Sequence, residues 1–141
     1  MGVLRELGRL TGNLIELVVL SIGALIYAAI CIVGAVIDLF TDILGWINDK
    51  IEALINDGEN PKEVNVLDGN ALSAFIKQNQ ANGTYTQISL NELNAMRNSV
   101  INVVTDNNGR ILDDQMIRSD TGFAENTRRQ FNGQGMIKIP V

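Results

Sequence analysis

LVVLSIGALIYAAICIVGAVI, residues 17–37, is the stretch on which the fold turns. It contains no charged residue and no proline, and it is bounded by Glu16 and Asp38. A helix of that length, rising about 1.5 Å per residue, just crosses a hydrocarbon core of roughly 30 Å. The expected element is a transmembrane helix over 17–37. A cleaved secretory signal competes with it, because Val33, Gly34 and Ala35 offer a small-residue cleavage site. The run is, however, longer than the usual signal core of roughly 7 to 15 residues.

Within the run, Ala24, Ala28, Cys31 and Ala35 recur at spacings of four, three and four, which on a helix makes one stripe of small side chains. Such a stripe lets a second backbone approach closely, so these residues are candidates for helix packing in an assembly. On the N-terminal side, residues 1–16 read as a basic amphipathic segment: Val3, Leu4, Leu7 and Leu10 alternate with Arg5, Glu6 and Arg9. Arg5 and Arg9 before the run, against Lys50 after it, place the N-terminus in the cytoplasm and the C-terminal part outside.

The apolar pattern continues past Ile37. Phe40, Ile43, Leu44, Ile47, Ile51, Leu54 and Ile55 keep a helical period while Asp42, Asn48, Asp49, Glu52 and Asn56 take the other face. One helix from about residue 13 to about residue 56 is predicted, with 38–57 as its acidic amphipathic half and Trp46 as an interfacial anchor. Residues 58–63, with Gly58 and Pro61, form a linker. Residues 64–141 read as a small α+β head. Its cues are a strand at Val64 to Leu67, a helix capped by Asp68, and a strand candidate over residues 84–88. A capping box at Ser89 to Glu92 and an Asp106 to Gly109 turn between two strands follow. A short helix capped by Asp120 or Thr121 and a closing strand over 136–141 complete it. The fold class is α+β with a long N-terminal helix.

The net charge of −5 is concentrated between Asp38 and Glu63, where seven acids face only Lys50 and Lys62. That is not the basic footprint of a nucleic-acid binder. The 141 residues include no histidine, which removes the usual general base and the common zinc ligand. Asp113 and Asp114 are neighbours and on a strand point to opposite faces. No phosphate loop and no calcium loop is present, since the glycine after Asp106 comes fourth instead of sixth. No catalytic residue, cofactor, metal or small-molecule substrate is expected.

Residues 12–30, GNLIELVVLSIGALIYAAI, resemble the N-terminal region of type IV pilins and pseudopilins, in which a basic leader ends in glycine and a glutamate opens an apolar helix. Gly12 leaves Glu16 at the fourth position of such a chain, where the family has it at the fifth. The resemblance implies that Glu16 pairs with a neighbouring subunit's N-terminal amine and that the helix forms a filament core. The expected protein is a non-enzymatic, single-pass membrane subunit of a larger envelope, secretion or filament complex. Its partners would be a lipid bilayer and copies of itself or other proteins. A pilin-like filament subunit is one alternative; a membrane-inserting delivered protein, such as a phage ejection component or toxin, is the other.

Overall fold

Residues 14–141 are described by the computed structural model, and the amphipathic segment expected around Val3, Leu4, Leu7 and Leu10 lies outside them. The apolar run does not form one helix. Helical residues 14–20 (α1) end at Ser21, whose amide donates to the carbonyls of both Leu17 and Val18 at 3.2 and 3.1 Å. A second helix, α2 (Ile22–Tyr27), follows, and the chain then extends as strand β1 (Ile30–Ile32). Ile30, Ile32 and Val33 are β-branched, which favours a strand here, and Gly34 with φ 73° bends the chain away.

Beyond Ile37 a π-helical turn (Leu39–Ile43) leads into α3 (Leu44–Asn56). The expected transmembrane helix over 17–37 is thereby overturned, and with it the single-pass membrane placement with an outer head. Among the described residues no helix is long and apolar enough to cross a membrane. The run meets its apolar surroundings inside the protein: Val18, Val19, Ile22, Leu25 and Ile37 are all buried, as is Ile15 just before it. Length and hydropathy alone do not distinguish burial in lipid from burial against a sheet.

The remaining elements are β2 (Glu63–Asp68), α4 (Gly69–Gln80), α5 (Leu90–Met96), β3 (Ser99–Thr105), β4 (Ile111–Ser119), α6 (Glu125–Phe131) and β5 (Met136–Pro140). The five strands make one mixed sheet in the order β1-β4-β3-β2-β5, in which β1 runs parallel to β4 and all other neighbours are antiparallel. Every residue of β3 is buried, and its alternation divides two cores. Ile101 and Val103 face α1, α2, α4 and α5, joining Ile15, Val18, Leu72, Ile76, Leu93 and Met96. Val100 and Val104 face α3 and α6, joining Ile37, Ile43, Ile47, Leu54 and Phe131. Trp46 packs half-buried beside this second core, with the Lys50 ammonium 5.8 Å from its ring centroid.

Elements with a chemical start signal form where that signal stands. Asp68 caps α4 by accepting from the Asn70 amide at 2.8 Å. Both halves of the Ser89–Glu92 capping box are made. The β3–β4 turn is held by Asp106, whose carboxylate accepts from the amides of Asn108 and Arg110 at 2.9 Å each. Two elements differ from expectation. Residues 84–88 are not a strand; Tyr85 sits at φ 57° and the segment is pinned by Gln80 Nε2 donating to the carbonyls of Tyr85 and Ile88. Helix α6 starts after Ala124, with no side-chain cap, instead of at Asp120 or Thr121.

Candidate functional site

The end of the apolar run is tied to the sheet by residues far along the chain. The Ile37 amide donates to the Gly122 carbonyl and the Ala124 amide to the Ile37 carbonyl, both at 2.8 Å. Buried Thr127 accepts from the Leu39 amide at 2.7 Å and donates to the Ile37 carbonyl at 3.2 Å. Ser119 Oγ donates to the Ala35 carbonyl at 2.6 Å, and the Gly34 amide donates to Asp120 Oδ1 at 3.0 Å. These bonds pair backbone groups of Gly34, Ala35, Ile37 and Leu39, and among the described residues the outward side of the run is left exposed.

That outward side is the most unusual surface of the molecule. Nine large apolar side chains are exposed among the described residues, and six of them, Leu17, Leu20, Tyr27, Ile30, Val33 and Val36, lie within residues 17–36. Tyr27 is 93% exposed, Val33 82% and Leu20 78%. Single exposed apolar residues are ordinary on a soluble surface; a concentration of them marks an interaction site.

The small-residue stripe does not survive as one helical face. Ala24 lies on α2, Ala28 in the turn after it, Cys31 on β1 and Ala35 in the following loop, and all four are exposed. The structure therefore gathers them along the same uncovered segment by a different route from the one the spacing implied. Glu16 is exposed on α1. Asp113 and Asp114 do point to opposite faces: Asp113 pairs with Lys50 at 3.0 Å, while burial and then the charge of Asp113 push the Asp114 carboxyl above its ordinary value. The exposure of Leu20, Ile30, Val33 and Val36 was not read from the sequence; its only signal there is that the run is apolar on every side, more than one buried helical face requires.

Two hollows lie elsewhere on the surface. One, of about 150 Å³, lies between the start of α4 and residues 133–135, with Asp68 and Arg128 on its wall and the stacked rings of Phe123 and Phe131, 5.9 Å apart, beside it. Burial raises the Asp68 carboxyl above its usual value against amide hydrogen bonds from Asn70 and Ala71, and those bonds commit it to capping α4. The other is a groove of about 420 Å³ between α3 and β5, lined mainly by Ile47, Ile51, Ile55, Ile139 and Val141. Among the described residues no group of three or more His, Cys, Asp or Glu could hold a metal ion. No protein-family model, no curated protein and no solved structure matches this chain.

Proposed function

We propose that this chain is a non-enzymatic structural subunit that assembles with copies of itself through the apolar surface of residues 17–36. The observation that carries the reading is the concentration of Leu17, Leu20, Tyr27, Ile30, Val33 and Val36 on the outside of a folded protein. An apolar surface of this kind is favourable to cover, at about 25 cal/mol per Å². A second copy is a fitting cover, because the segment carries no charge to be set against its own kind in a self-complementary interface.

Sedimentation velocity over a wide concentration range tests the reading. The wild-type chain is expected to associate as concentration rises. The double variant Leu20→Glu, Val33→Glu changes two outward side chains and is expected to stay monomeric with an unchanged far-UV circular dichroism spectrum. A wild-type chain that remains monomeric throughout would refute the proposal.

A further inference from the structure

The two edges of the sheet are chemically different. Strand β5 carries Lys138 and ends at Pro140, the charge and the missing amide that discourage another strand from pairing there. Strand β1, Ile30-Cys31-Ile32, carries neither, and it is the other edge. The backbone of β1 has a defined orientation. The Asp120 amide donates to the Ile32 carbonyl at 3.4 Å, in the register that pairs Ile32 with Ser119, so Ile32 turns its polar groups to β4. By alternation, the amide and carbonyl of Cys31 turn to the open side.

Resting on the self-assembly reading above, we infer that two copies join edge to edge through β1, antiparallel about a two-fold axis at Cys31. Each Cys31 amide then donates to the carbonyl of the partner subunit's Cys31, a hydrogen-bonded antiparallel pair with Cα atoms about 5.5 Å apart. The two five-stranded sheets become one of ten strands. The surroundings supply the apolar area that so short a strand cannot. Tyr27, Ile30, Val33 and Val36 flank the edge at 93, 48, 82 and 40% exposure. Were all of that exposed surface covered in both copies, it would amount to roughly 1,000 Å², about what a specific interface needs. Residues 17–37 themselves set no charge against its own copy across a two-fold axis, in a chain of net charge −5.

Cys31 is the only cysteine and is exposed, so it reports the contact without background. A short bismaleimide is expected to link wild-type chains rapidly through Cys31. Cys31→Pro removes an amide that β4 does not use. It is expected to weaken the dimer about tenfold or more in sedimentation while hydrogen exchange in β4 is unchanged. Cys31→Lys, which keeps the amide and places a charge at the axis, is expected to weaken it likewise and serves if the proline variant fails to fold. Association that persists undiminished in these variants, without cross-linking in the wild type, would overturn the β1 contact while leaving self-assembly standing. A wild-type monomer at every concentration would overturn both. Binding of a monomer to phosphatidylcholine vesicles, with no dimer in solution, would assign the patch to lipid and likewise overturn the inference.

Discussion

At the residue scale, the most informative group is Asp68. Its folded carboxyl lies above the ordinary 3.8 because burial outweighs the amide bonds from Asn70 and Ala71. The folded chain holds this proton more tightly than the unfolded chain does. Its contribution therefore favours folding below the ordinary value and is lost as pH rises through the raised one. Asp68→Asn keeps a capping side chain and removes the titration. Urea denaturation at a series of pH values should show the variant gaining on the wild type as pH rises through that window; a pH-independent difference would contradict this cause. Next to it, Gly69 is required by packing, since a Cβ there would run into Ser99 Oγ and the Met96 carbonyl. Gly69→Ala is expected to cost about 2 kcal/mol in the same assay. The cap was legible, because an aspartate before a helical pattern is a local signal. The packing limit on Gly69 was not, because Met96 and Ser99 reach it only in the folded sheet.

At the scale of elements, chemistry written into neighbouring residues was readable and chemistry supplied from afar was not. The Ser89–Glu92 box starts α5, and Ser89→Ala is expected to cost about 1 kcal/mol, measured by thermal or urea unfolding. The Asp106 turn was read from the same kind of cue, a short side chain that bonds amides two and four residues on. Residues 84–88 differ because β-branched Thr84, Thr86 and Ile88 recur at a strand's period of two while Gln80 fixes the segment as a loop. The break of the apolar run failed for a larger version of the same reason. Ser119, Asp120, Gly122 and Thr127 bond backbone groups of Gly34, Ala35, Ile37 and Leu39, and nothing near residue 34 announces them. The outward apolar face was hidden by the same error, since a helix in lipid has no side that asks for an explanation.

At the scale of the whole molecule, the run supplies an edge strand, parts of two cores and, among the described residues, six of the nine exposed large apolar side chains. The α+β content of residues 64–141 was legible from turn and capping signals, whereas the sheet order was not, because β1 enters it from the other end of the chain. Ile30 pairs with Ile117, 87 positions later, and Ile37 bridges to Phe123. This separation has a consequence in time. During synthesis at roughly 5 to 20 residues per second, the run is made roughly 4 to 17 s before the strand that receives it. The most apolar segment of the protein is thus the first of its sheet to be made, and it has no strand to pair with until β4 is complete. In that interval it is a nascent-chain hazard, and a holding chaperone that shields it until β4 is complete would raise the yield of folded protein.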